Sequence, residues 1–432
     1  MHRLREDPRS HHGSRPQPFP LPIGEPMSDS SNTPPRTHAI IAGAGMGGLT
    51  LALALLKKGF DVDVYEQSPE LREVGAGLWI SANGAKVMAA LGLKERLEEI
   101  NLPPQDRLIR YWKTGEGRSV YNRDGNPSKA DHTLIQVLRS ELQRVLYEAV
   151  VAIKPDAVHF GVRSAGAETV GGRARLLLGD GGHVDGDVVV GCDGAHSRVR
   201  QSMFGPAPAR YTGALAWRGL TPMGKLKPQH REALASTWVG PTAHVTTYPV
   251  QKNGEMFVSF SAQVDSDTWH TESWSEKGDL ADALKDFEGW HSDIVDLFVG
   301  SENLFRWGLF VRDPLQAWSQ GQVTLVGDAC HSMTPYLGMG VNMTMEDAFV
   351  LARCLEQGPD DIAAALRRYD RARIERANRT KAESLKMFRI FHSPALARPE
   401  TAWPYIDTHW SAQAVRERYD WLLQYDATTV EI

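Results

Sequence analysis

The segment THAIIAGAGMGGLTLALALLKKGFDVDVYEQ, residues 37–67, restricts the fold more than any other. A short apolar run, a glycine-rich turn, an apolar helical stretch, a polar turn and an alternating run follow one another within about 30 residues, the signature of a βαβ unit. Gly43, Gly45 and Gly48 fit GxGxxG, with Gly47 as a fourth glycine in the turn. The first permits a tight turn, the second lets backbone approach a diphosphate, and the third lets the helix lie close to the strand. The diphosphate would then rest on the dipole of a helix beginning near Met46. Glu66 ends the second strand eighteen residues beyond Gly48, where a carboxylate bonds ribose hydroxyls, and Gln67 beside it is a further cofactor contact. The Glu66 charge repels a 2′-phosphate, so the adenosine belongs to FAD or NAD.

Further along, GCDGAHSRVR at 191–200 sets Asp193 and Gly194 behind an apolar strand, and the turn GDGGHVDGD precedes that strand. VGDACHSMTPYLGMGVNMTMEDA at 326–348 sets Asp328 at another strand end, followed by a Gly/Pro loop and a helix starting at Gly340 and Val341. In open α/β sheets ligands bind beside such carboxyl ends, which suits Asp328 to polyol hydroxyls and the helix start to negative charge on a reduced ring. Between these signals, residues 211–318 read as strands. The expected fold is therefore α/β: a Rossmann-like dinucleotide domain in two parts, 37–210 and 319–365, an inserted β-sheet domain at 211–318, and a helical C-terminal region at 366–432. Residues 1–36, rich in Pro, Ser, Arg and His, read as a disordered tail, with Met27 a candidate natural start.

Composition narrows the function classes. A net charge of −5 with scattered basic residues argues against nucleic acid and anionic membrane. The longest apolar run, LTLALALL, is too short to span a bilayer, and the tail lacks the apolar core of a signal peptide. Three cysteines without a CxxC pair point to a reducing, cytoplasmic setting with neither disulfide scaffold nor metal site.

GAGMGG, the Asp193-Gly194 pair and the Gly327-Asp328 pair, in that order, resemble the single-component class A flavoprotein monooxygenases with the para-hydroxybenzoate-hydroxylase-like fold. EVGAGLWISANGAKVMAALGL, YTGALAWRGLTP and YDWLLQYDA look most like the group of salicylate hydroxylase, 3-hydroxybenzoate 6-hydroxylase and 6-hydroxynicotinate 3-monooxygenase. The resemblance implies FAD, NADH or NADPH as co-substrate with NADH favoured, O2, and ring hydroxylation through a C4a-hydroperoxyflavin. It also implies that Glu66 binds the adenosine ribose, Arg139 the diphosphate side and Asp328 the ribitol, while Asp193 and Gly194 serve FAD and passing nicotinamide nucleotide. A monomer or homodimer is expected.

AHVTTYPV at 243–250 matches the His-x-x-x-Tyr/Phe-Pro segment of this group. Independently, residues four apart on a strand share a face about 13 Å apart, so His244 and Tyr248 can flank one ring. A phenol with pKa of about 10 needs help to ionise near neutral pH, and a neutral histidine supplies it. Tyr248 orients the ring or relays the proton. Tyr336, Trp217 and Arg218 complete the candidate substrate contacts, Arg218 being either a partner for a substrate carboxylate or a structural cation. Cys330 and His331 read as packing. Pro335, Tyr336 and Trp79 depart from the glutamine and histidines of the 3-hydroxybenzoate and hydroxynicotinate enzymes. The expected substrate is a small phenolic or hydroxylated heteroaromatic acid, hydroxylated ortho or para to its hydroxyl, with decarboxylation where the attacked carbon bears the carboxylate. The alternatives are a bicyclic substrate of quinolone or urate type, and a flavin-holding interaction protein without turnover.

Overall fold

The computed structural model describes residues 36–71, 77–102, 106–120, 134–227, 234–252, 254–267, 269 and 276–432, so all but Arg36 of the tail read at 1–36 lies outside the described residues. Its first strand, His38–Ala42, sits in the middle of a five-stranded sheet with the order Val323–Leu325, Val188–Gly191, His38–Ala42, Asp61–Glu66, Val158–Phe160. Every pair in it is parallel. Parallel strands are covered on both faces, which is why VVVG at 188–191 is buried throughout. Helix Met46–Lys57 buries its first ten residues against this sheet and its neighbouring helices. Of the turn expected at 179–187, residues 179–182 join strands Arg173–Leu178 and His183–Gly186 of a three-stranded antiparallel sheet, so 183–186 are strand and not turn.

The chain leaves the parallel sheet at Gly191 and rejoins it at Val323. Six strands of the intervening chain, with two from earlier in the sequence, build an eight-stranded sheet in the order 276–277, 305–311, 210–222, 255–265, 243–252, 234–239, 106–111, 117–119. The last two strands come from outside 211–318. Asp106–Tyr111 pairs in parallel with Leu234–Val239, residue for residue, and so covers an edge that would otherwise offer unpaired amides.

Strand periodicity gives this sheet two unlike faces. Leu215, Trp217, Trp238, Val245, Val258, Phe260 and Ala262 share one core cluster with Phe287, Ile294 and Phe298, contributed by and beside helices Leu280–Asp286 and Ser292–Gly300. The alternate residues, among them Arg218, Ser259, His244 and Tyr248, lie on the other face. Helix Ile362–Phe391, 30 residues long, is clamped near its middle to helix Gly340–Gln357. There the buried Arg373 pairs with Glu346 and Asp347, and Arg376 with Glu346. Its C-terminal end carries Phe391 and His392 to strand Ala243–Lys252. Among the described residues no helix is long and apolar enough to cross a membrane.

Candidate active site

At the carboxyl end of the first strand, Gly43 takes φ +104°, and a Cβ there would stand 2.6 Å from the Cys192 carbonyl oxygen. A Cβ on Gly48 would meet the Gly43 carbonyl at 1.9 Å, so the helix closes onto the turn only because both are glycine. Gly47 is pressed against the Thr344 methyl, which draws the helices Met46–Lys57 and Gly340–Gln357 together. Gly45 and Gly340, at the starts of these two helices, face open space. Neither helix has a side-chain cap or an acid in its first turn, so their amide dipoles remain available to an anion.

The flanking carboxylates fit the same purpose. Glu66 accepts from the Ala44 and Ser68 amides at 2.9 and 2.8 Å, which ties the glycine turn to the second strand and leaves further lone pairs for ribose hydroxyls. Gln67, next to it, is exposed, as is Asp328, which has no protein partner among the described residues. Arg139 opens helix Arg139–Ile153, is exposed, and also lacks a partner among the described residues. A cradle without side chains, two open helix starts and flanking acids suit the diphosphate, flavin and polyol parts of FAD. Val341, in the first turn of the second helix, is partly buried beside it.

Asp193 has a structural duty that its motif does not announce. Its carboxylate accepts from the Ser197 hydroxyl and the Arg198 and Val199 amides at 2.5, 2.7 and 3.2 Å, so it caps the start of helix Arg198–Phe204. Burial raises its pKa while these bonds oppose the rise. Gly194 beside it holds φ +76°. The Asp193-Gly194 pair thus shapes the turn behind its strand, and its carboxylate keeps acceptor capacity beyond these three bonds.

The loop after Asp328 lies across the polar face of the large sheet. Tyr336 packs on His244 with ring centroids 5.6 Å apart, Gly338 approaches Trp79, and Trp79 packs on Tyr248 at 5.1 Å. His244 and Tyr248 are thereby held at opposite ends of one aromatic-walled region. Two polar groups there, the Trp79 Nε1 and the Tyr336 hydroxyl, are buried without a hydrogen-bond partner among the described residues. Burial pushes the Tyr336 and Tyr248 hydroxyls up, although Arg218 and Ser259 partly counteract this at Tyr248. Arg218 sits 4.9 Å over the Trp307 ring and has no carboxylate partner among the described residues. Desolvation lowers its pKa, and Arg139 adds to the lowering.

His244 is 2 % exposed, stacks on Phe391 at 4.4 Å, and has its Nδ1 2.7 Å from Nε2 of His392. His392 Nδ1 in turn lies 2.6 Å from Asp265 Oδ1. Burial, then the neighbouring His392, holds the His244 pKa well below the ordinary histidine value.

Trp217 requires a correction. Adjacent strand residues point to opposite faces, and Trp217 points into the helix-covered core, where its Nε1 donates to Asp286 Oδ2 at 2.8 Å. It cannot touch a ligand on the Arg218 side. Sequence reasoning also missed His392, Asp265 and Ser259. His392 follows a helix end 148 residues from its partner, and no local pattern signals such a pairing. Cys330 and His331 are buried packing as read, though with Asp347 their ligand atoms lie within 4.8 Å of one another. Asp347 already receives Arg373 and His331, so a cation is in place there.

Residues 36–384 match the family model described as FAD binding domain. The chain is 34% identical over 402 residues to 3-amino-4-hydroxybenzoate 2-monooxygenase from Streptomyces platensis, covering 91% of this chain and 98% of that protein. It is 32% identical to 6-hydroxynicotinate 3-monooxygenase from Pseudomonas fluorescens, covering 79% and 88%. Among solved structures, Klebsiella pneumoniae HpxO complexed with FAD and uric acid matches at TM-score 0.71 and 29% identity, covering 90% of this chain and 93% of that one. The glycine cradle, the open helix starts and these relatives agree: the chain belongs to the FAD-binding-domain family and is a flavin-dependent aromatic-ring monooxygenase.

Proposed function

We propose that the substrate is a small aromatic carboxylic acid bearing a ring hydroxyl, oxygenated ortho or para to that hydroxyl, with NADH or NADPH as reductant. Where the attacked carbon carries the carboxylate, hydroxylation releases it as CO2. The observation that carries this reading is Arg218, a desolvated guanidinium without a carboxylate partner among the described residues, on the same sheet face as His244 and Tyr248. An unpaired cation in such a place costs stability unless a ligand anion completes it, and a carboxylate accepts its two parallel N–H bonds.

FAD, when bound, supplies the transfer of electrons from the nicotinamide to O2 and of one oxygen atom to the ring. The protein does the rest. Arg218 anchors the carboxylate, the Trp79 Nε1–H and the Tyr336 hydroxyl offer unspent hydrogen bonds to ring substituents, and Trp79 and Tyr248 wall the ring. His244, neutral at working pH because burial disfavours its cation, accepts the ring-hydroxyl proton and so makes the ring a stronger carbon nucleophile. General-base help of this kind is worth about 10²- to 10⁴-fold.

The test is NADH and NADPH oxidation with oxygen uptake by the FAD-loaded protein across salicylate, hydroxybenzoates, hydroxynicotinates and aminohydroxybenzoates, with product identified and peroxide counted separately. Oxidation matched by hydroxylated product is the expected result. If no acid on the panel stimulates oxidation, the small-acid reading fails, and larger bicyclic substrates come next.

A further inference from the structure

His244, His392 and Asp265 lie in one hydrogen-bonded line, with contacts of 2.7 and 2.6 Å, running from the buried His244 to a carboxylate whose side chain is 43% exposed. We propose that this line is a proton relay that carries the ring-hydroxyl proton between the substrate and solvent. The proposal rests on the hydroxylation of a phenolic acid argued above.

The bond directions follow from what each group can offer. Asp265, when ionised, only accepts, so His392 donates through Nδ1. A neutral His392 then accepts at Nε2, which makes His244 the donor through its own Nδ1. Nε2 of His244 is left with a lone pair and no protein partner among the described residues. The two partners therefore fix the tautomer that turns His244 into an acceptor toward the substrate. Burial makes an imidazolium at His244 costly, so a proton received at Nε2 must be passed on rather than stored.

Proton transfer along the line balances without any other reactant. The substrate O–H breaks as Nε2–H forms on His244, Nδ1–H of His244 moves to Nε2 of His392, and Nδ1–H of His392 moves to Asp265, which releases it to water. Reversal of the same bonds returns a proton to the product oxygen and resets both tautomers. Phe391 stacks on His244 and Phe388 packs at a tilt against His392, which shields the inner links from water. The ionisable groups facing the line are Tyr336 from the loop and Tyr211 from strand Arg210–Pro222, both kept protonated by burial, with Asp267 beyond Tyr211. On the helical side Trp410 packs on Phe391, backed by Tyr405 and His409. Among the described residues none of these interrupts the line.

The experiment uses the full FAD-loaded chain labelled with nitrogen-15 in histidine. Two-dimensional spectra at pH 7.5 should place the His244 proton on Nδ1, and its exchange with solvent should slow sharply in His392→Gln. That variant keeps a carbonyl to accept the Nδ1–H yet cannot pass a proton on. Asp265→Asn should slow the exchange as well, which guards against a folding defect at position 392. With the panel acid that gives the fastest turnover, His392→Gln should lower kcat about 10²-fold with KM nearly unchanged, and added imidazole should restore part of it. A His244 proton on Nε2, or exchange and kcat unchanged in both variants, overturns the relay. If no acid supports turnover, the substrate reading falls, and the exchange measurement still decides the relay.

Discussion

The two faces of the eight-stranded sheet are made by the same strands and differ in almost everything else. On one, Trp217, Phe260 and Phe298 are sealed under helices, and polar tips are matched, the Trp217 Nε1 to Asp286 and the Thr221 hydroxyl to the Leu297 carbonyl. On the other, among the described residues, Arg218 has no acid, and the Tyr336 hydroxyl and Trp79 Nε1 have no hydrogen-bond partner. The contrast teaches where stability is held and where it is given up. A satisfied face can be dispensed with chemically but not mechanically, whereas an unsatisfied one waits for a ligand.

The strongest way to break this contrast is Trp217→Ala, which removes a fully buried indole and should cost about 3–5 kcal/mol of stability. Chemical denaturation measures it, and KM of the surviving protein should stay close to the parent value. Its neighbour should behave in the opposite sense. Arg218→Met should raise KM for the aromatic acid by about 1.5–3 kcal/mol in binding terms while thermal stability holds or rises, since an uncompensated cation is removed. A melting point that falls with unchanged KM would assign Arg218 to the scaffold instead.

Acid titration sharpens the contrast further. The folded pKa of His244 lies below its unfolded value of about 6.5, so below that pH the unfolded chain gains a proton that the folded chain refuses. Stability from this residue is therefore intact above about pH 6.5 and lost as pH falls below it. His244→Phe should flatten that part of a stability-against-pH curve. The smallest effect belongs to Tyr336→Phe. Deleting a buried hydroxyl without a partner should stabilise the ligand-free protein by about 1 kcal/mol and raise KM a few-fold. Thermal shift with and without the acid separates the two.

Much of the nucleotide half was legible because its constraints are local. GAGMGG, Glu66 and Asp328 each sit at a strand end or helix start that a period and a glycine pattern announce. His244 and Tyr248 were legible for a similar reason, since four residues of strand define a face. What failed was the choice of face. Trp217 and Arg218 are neighbours, so only one can reach the site, and the decision is made by helices 280–286 and 292–300 far along the chain. The second duty of Asp193 was not legible, because an acid after a strand serves a helix cap as well as a ligand, and the Ser197 and Arg198 bonds appear only in the fold. His392 was invisible for want of any local signal.

The borrowed strand Asp106–Tyr111 has a consequence for recombination. A segment cut at 211–318 looks like an exchangeable cassette, yet it leaves strand Leu234–Val239 as a bare edge, ready to pair with another copy. It also leaves His244 without His392. A chimera that swaps specificity between relatives must carry three separate pieces of chain together, which makes point substitution on the polar face the shorter route to a new substrate.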